Sequence, residues 1–262
     1  MAEEKRYEVA VIRGGANDGS GPEMMDAALC VLKAMLEEAK VTSLKFVDLD
    51  LAAEPEKSWE TVRSLGVVFK APTNSPHLPE GQTGRIMGSV QIRRGLDLYA
   101  NITPCKSYKG ITKALRPDID MVMVRENVEG LFGSPSFSPA PGIDCNVRII
   151  TRAGSERIAR VAFQLARGRR KKVTVSTVPP GAISSDGTFT AACETVAREF
   201  PDVKMEIFKP DSVCGMLMDR ADYFDVVVAP NDWGFILQDG MVATTGSVGL
   251  GPRANLGDNT AL

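Results

Sequence analysis

Strand-length apolar segments and segments of helical period alternate along this 262-residue chain, and that alternation admits few architectures. Tyr7 to Ile12 reads as a buried strand, followed by a Gly-rich turn, Pro22-Glu23 and a helix. In that helix Met25, Ala28, Leu29, Leu32, Met35 and Leu36 recur at helical spacing, and Pro22 suits a first helical turn. Ser43 to Val47 and Gly66 to Phe69 are expected as strands, with Trp59 to Ser64 helical between them. Pro72 to Gly84 reads as a polar loop; Asp97 to Ile102, Met121 to Val124 and Val147 to Ile150 are then expected as strands. Ile158, Val161, Ala162 and Leu165 mark an amphipathic helix that stops at Gly168. Val173 to Thr177 is a strand, and Asp186 is placed to cap a helix carrying Phe189, Cys193, Val196 and Phe200. Val203, Met205 and Ile207 alternate as in a half-buried strand, and Phe224 to Val228 is a strand stopped by Pro230. An α/β fold with a substantial parallel sheet is the expectation.

Composition removes several functional classes. With 31 Lys and Arg against 33 Asp and Glu, bulk charge gives no nucleic-acid signal. Uncharged apolar runs are strand-sized, far below the ~20 residues of a membrane helix, so no direct membrane insertion is expected. The opening Met-Ala-Glu-Glu-Lys-Arg lacks the apolar core of a signal peptide and is too acidic for a typical transit peptide. Cys30, Cys105, Cys145, Cys193 and Cys214 are widely spaced with no Cys-x-x-Cys pair, which suits a reducing intracellular compartment, mitochondrial matrix or cytoplasm. The single histidine, His77, lies in the Pro-rich loop and reads as an ordinary loop residue, so zinc and Ser-His-Asp chemistry are poor fits. Gly14, Gly15, Gly19 and Gly21 lie where backbone amides hold anions, but their spacing is neither a dinucleotide nor a Walker motif. A tight turn is the simpler reading. The run Arg169 to Lys172 reads as a solvated helix end.

Taken together, the motifs form a familiar series. Asp18-Gly19-Ser20-Gly21-Pro22-Glu23 follows the first strand, and Arg93-Arg94-Gly95-Leu96-Asp97-Leu98-Tyr99-Ala100-Asn101 comes next. Val124-Arg125-Glu126-Asn127-Val128-Glu129-Gly130, Ser185-Asp186-Gly187, Phe224 to Asn231, Gly249 to Pro252 and Asn255 to Asp258 complete it. In this order they resemble the isocitrate/isopropylmalate dehydrogenase family, nearest to its NAD-dependent isocitrate and homoisocitrate branch. The resemblance implies a two-domain α/β dimer, with mostly parallel sheet, that oxidises and decarboxylates a 2-hydroxy dicarboxylic acid using NAD or NADP and Mg²⁺ or Mn²⁺. On this pattern residues 1–98 form the first part of the large domain and 99–248 the small dimerisation domain. Residues 249–262 read as a stub of the large domain's second part, which leaves that domain incomplete.

The resemblance also assigns positions, and several hold the wrong chemistry. Arg93 and Arg125 match two substrate-binding arginines, whose planar guanidinium groups pair bidentately with carboxylates. Thr103 stands at the third arginine position, and Met87 and Ser89 at two further substrate contacts. The catalytic tyrosine and lysine positions hold Phe132 and Val178, with Pro180 after the latter in place of asparagine. Of three metal-binding aspartates, Asp211 and Asp239 match, while Phe235 fills the third place. A hard divalent cation needs oxygens that a phenyl ring lacks. The family shares its active site across the dimer, so pairing with an intact partner would complete neither composite site. A pseudoenzyme is therefore expected, without NAD or metal, acting as a structural or assembly subunit of a larger complex. A regulatory subunit of a hetero-oligomeric NAD-dependent isocitrate dehydrogenase is the alternative, and an active NAD-dependent oxidative decarboxylase a third. A protein partner is expected in either non-catalytic case, through the small domain.

Overall fold

The computed structural model describes residues 6–13, 20–49, 55–72, 89–110, 113–132, 134–179 and 181–262. Gly14, Gly15, Gly19, most of the Pro-rich loop with His77, Met87 and Pro180 lie outside the described residues. Contacts divide the chain into two compact units, Met1–Leu98 with Gly257–Leu262, and Tyr99–Leu256.

The first unit contains β1 (Tyr7–Ile12), α1 (Gly21–Glu38), β2 (Leu44–Asp48), α2 (Pro55–Leu65), β3 (Val68–Lys70) and α3 (Ser89–Gly95). Its three strands are parallel in the order β2-β1-β3. Because side chains alternate along a strand, β1 serves two cores: Ala10 and Ile12 pack with Val62 of α2, and Val11 with Met25 and Leu29 of α1. Position 21, where α1 starts, is a glycine because a Cβ there would collide with the carbonyl oxygen of Pro72. Met24, Val31 and Met35 of the same helix are exposed.

The second unit contains β4 (Ala100–Lys106), β5 (Asp120–Glu126), β6 (Ser136–Ala140), β7 (Ile143–Asn146), α4 (Arg152–Arg167) and β8 (Lys172–Ser176). It continues with α5 (Ser184–Ala197), β9 (Lys204–Phe208), α6 (Pro210–Arg220), β10 (Val226–Ala229), α7 (Asn231–Thr244) and β11 (Ala254–Leu256). Six strands run in the order β11-β4-β5-β10-β8-β9. From β5 to β9 every pairing is parallel, whereas β4 is antiparallel to both β5 and β11. Helices α4 and α5 cover one face around Phe163 and Phe189; α6 and α7 cover the other around Leu217 and Met241. A strand covered on both sides needs no polar alternation, and β10 is the continuous run Val226, Val227, Val228, Ala229.

Several expectations differ from what is observed. Val147 to Ile150 is not a strand; only Ile149 makes a bridge, to Gly130, and the hairpin β6–β7 precedes it. The strand expected from Asp97 starts at Ala100, since Asp97 takes a left-handed turn conformation (φ 44°). Residues 254–256, for which no strand is expected, form β11 antiparallel to β4, and the Asn255 side chain accepts hydrogen bonds from Asn101 and Asn127. The run Arg169 to Lys172 is stitched down and not simply solvated: Arg169 donates to Asp120 and to the buried Asp225, and Arg170 to the carbonyl of Asp222.

Candidate acid site

Ligands of parallel α/β sheets gather at the carboxyl ends of the strands. Here β5 ends in Arg125-Glu126 and β10 ends in Ala229-Pro230, after which α7 begins. The parallel register sets Ala229 opposite Arg125, and this brings Asn231 to the guanidinium. Asn231 Oδ1 accepts from Arg125 Nε at 2.9 Å and from Nη2 at 2.6 Å. The amide of Asn231 is itself oriented by donating Nδ2–H to the carbonyl of Glu129 at 2.7 Å. Gly234 lets the arginine cross the helix, since a Cβ there would lie 2.7 Å from Arg125 Cγ.

Two phenyl rings flank Arg125. The guanidinium carbon lies 5.9 Å from the ring centre of Phe132 and 5.1 Å from that of Phe235, within cation–π range. The rings meet edge to face, with centres 5.2 Å apart. Arg125 is 4% exposed, while Phe132 and Phe235 are 37% and 46% exposed. The position assigned to a tyrosine and the one assigned to a metal carboxylate thus pack on each other and on a retained arginine.

The other assigned positions serve different surroundings. Arg93 is half-buried in α3 of the first unit. Thr103 is buried inside the sheet of the second unit and donates to Asn101 at 3.0 Å; Asn101 in turn donates to Asn255 at 2.7 Å. A side-chain hydrogen-bond chain from β4 to β11 thus occupies the place assigned to the third arginine. Val178 acts through its backbone, donating its N–H to Asp186 at 2.8 Å.

Among the described residues of a single chain, the retained aspartates form no metal cluster. Asp211 sits in the first turn of α6 with its side chain 74% exposed, beside Lys209 at 3.6 Å. Asp239 on α7 is paired with Arg253. Phe235, one turn before Asp239 on the same helix, offers no oxygen. No group of three or more His, Cys, Asp or Glu side chains among the described residues is arranged to hold a metal. Each retained aspartate has a cationic neighbour of its own instead.

A second polar cluster went unread in the sequence. Arg148 donates from Nε to Asp232 at 2.5 Å, from Nη1 to Ser185 at 2.7 Å and to Asp186, and its guanidinium lies over Trp233. Trp233 Nε1–H donates to Asp186 at 2.8 Å, and Asp232 accepts the backbone N–H of Leu131, also at 2.8 Å. The expectation that Asp186 caps α5 is thereby corrected. Ile183 holds the N-cap position, and Asp186 lies in the first turn with its side chain fully buried on Arg148. Burial disfavours the Arg148 cation, but Asp232 and Asp186 outweigh it and raise its pKa above the usual value. The one available signal was an arginine within the apolar stretch Val147 to Ile150.

Glu126 is the other unusual group. It is 3% exposed and accepts the backbone N–H groups of Val128 at 3.0 Å and Glu129 at 2.8 Å. Burial pushes its carboxyl up to about 7, with those two donors acting in the opposite sense.

Arg125 thus stands at the carboxyl ends of parallel strands in a sheet covered by helices on both faces. Comparison makes the class specific: the chain belongs to the isocitrate/isopropylmalate dehydrogenase family, whose model matches residues 8–262. It is 38% identical, over 98% of its length and 76% of the relative, to a 3-isopropylmalate/3-methylmalate dehydrogenase of Methanocaldococcus jannaschii. It is 34% identical to a mitochondrial regulatory subunit of the NAD isocitrate dehydrogenase of Dictyostelium discoideum, covering 97% of this chain and 69% of that one. Among solved structures, isocitrate dehydrogenase from Methylococcus capsulatus superposes with a TM-score of 0.84 at 31% identity, over 98% of this chain and 76% of that chain. The chain spans about half the length of the NADP isocitrate dehydrogenases it matches, 51% for that of Rickettsia bellii, to which it is 34% identical over 94% of its own length.

Proposed function

We propose that this chain is a non-catalytic member of its family that serves as a structural or assembly subunit of a larger protein complex. The contact of Phe132 and Phe235 over Arg125 carries the proposal, because it fills the acid site with side chains that move no proton and hold no cation. Positioned acid–base groups contribute ~10²–10⁴ each, without adding simply within one catalytic unit. With Phe132 and Val178 at the tyrosine and lysine positions, two such groups are gone. Arg125 here works as a packing residue, joining the end of β5 to the start of α7 through Asn231.

A second reading has a specific observation behind it. The likeness to a regulatory subunit of an NAD isocitrate dehydrogenase supports a non-catalytic subunit that senses an acid or nucleotide through Arg93 and Arg125. The native mass of the particle isolated with this chain separates the two. A very large assembly containing no family dehydrogenase is the expected result. A dimer or tetramer with an intact dehydrogenase, whose kinetics change when this chain is removed, would replace the first reading by the second.

A further inference from the structure

We propose that Phe132 and Phe235 form a fixed aromatic plug that closes Arg125 to dicarboxylate and tricarboxylate ligands. The proposal shares residues with the non-catalytic reading and rests on it, but concerns ligand binding where that reading concerns turnover. A carboxylate binds a guanidinium strongly when two oxygens meet two N–H groups along one edge. Along the Nε and Nη2 edge of Arg125, Asn231 Oδ1 is already the acceptor, and its orientation is set by the bond from Nδ2 to Glu129. The rings are more exposed than the 4% exposed arginine and both lie within 6 Å of it, so they are part of what covers the cation.

Both rings project from anchored backbone. Phe235 projects from α7 one turn after Asn231. Phe132 follows Leu131, whose N–H is pinned to Asp232 of the same helix at 2.8 Å. Asp232 is in turn clamped by Arg148. A helix and a loop anchored to its first turn therefore hold the plug, which is no hinged lid. An incoming acid must displace two rings and an oriented amide. Arg125 then cannot serve as an acid sensor, and the regulatory reading loses its ligand site at this residue.

The test is equilibrium binding of citrate, isocitrate and malonate to the full chain by titration calorimetry. The wild-type protein is expected to show no saturable binding tighter than about 10 mM. The variant Phe132→Ala/Phe235→Ala is expected to bind citrate at least about tenfold more tightly than wild type, and adding Arg125→Met is expected to abolish the gain. Each single ring-to-alanine variant carries the same test with a smaller gain, should the double variant fail to fold. Saturable binding to wild type that Arg125→Met removes overturns the plug, as does a folded ring-deleted variant that gains nothing. Carboxylate binding without turnover would sink the plug and leave the non-catalytic reading standing; turnover would sink that reading.

Discussion

Replacing Arg148 with methionine is expected to destabilise the second unit by about 3–5 kcal/mol, the usual cost of leaving a buried carboxylate without its cation. Two carboxylates depend on this arginine. The Asp186 side chain is fully buried and that of Asp232 is 11% exposed. Methionine keeps the apolar stem but removes every donor. Asp186 retains the N–H of Val178 and the indole of Trp233, which holds the effect toward the lower figure. Domains are stable by only about 5–15 kcal/mol, so the loss would be a large share of the total. The chain has two tryptophans, Trp59 and Trp233, one in each unit. In a Trp59→Phe background, urea unfolding followed by Trp233 fluorescence reads the second unit alone. A midpoint lowered at unchanged slope is the expected result, and a shift below about 1 kcal/mol would show that the clamp is not structural.

The second large effect is on pH. The Glu126 carboxyl titrates near 7 in the folded protein and near 4.5 when unfolded, so the folded state binds its proton more tightly. Its contribution to stability is complete below the unfolded value and is lost as pH rises through about 7. The span corresponds to roughly 3 kcal/mol as an upper figure. Arg169, Arg160 and Arg167 hold Asp120, Glu199 and Asp202 below the usual carboxylate range, but those groups lose their contribution at more acid pH. With one histidine in the chain, the window between 5 and 8 has few other titrating groups. Unfolding free energy measured across that window should therefore fall with rising pH, and Glu126→Gln should flatten the slope. An unchanged slope in the glutamine variant would assign the titration to another group.

What was legible in the chain follows the physics of each element. Helix α1 shows its Met25 and Leu29 periodicity because one face packs on a sheet, and β10 is an unbroken apolar run because both faces are covered. The hairpin β6–β7 gave no such signal. Residues 136 to 140 are all exposed and include Pro139, so neither alternation nor an apolar run marks them. Helix α7 was read only as a motif around Asn231; with buried residues from Asn231 to Thr244 and two glycines inside it, it lacks a clear polar face. At the site, the identities of Phe132 and Phe235 were plain, but their contact joins residues 103 positions apart (235 minus 132) and only the fold brings them together. Arg148 was hidden because its carboxylate partners lie on two other helices.

On the proposed function, the acid site of this chain is closed and without catalytic groups. This is tested most directly by following NADH or NADPH formation by the purified chain with isocitrate or 3-isopropylmalate, each with Mg²⁺ or Mn²⁺ and NAD or NADP. The expected result is no formation above the protein-free blank, and none after Val178→Lys, since Phe132 and Phe235 still fill the site. Metal-dependent, saturable formation of reduced cofactor that Arg125→Met abolishes would contradict the account.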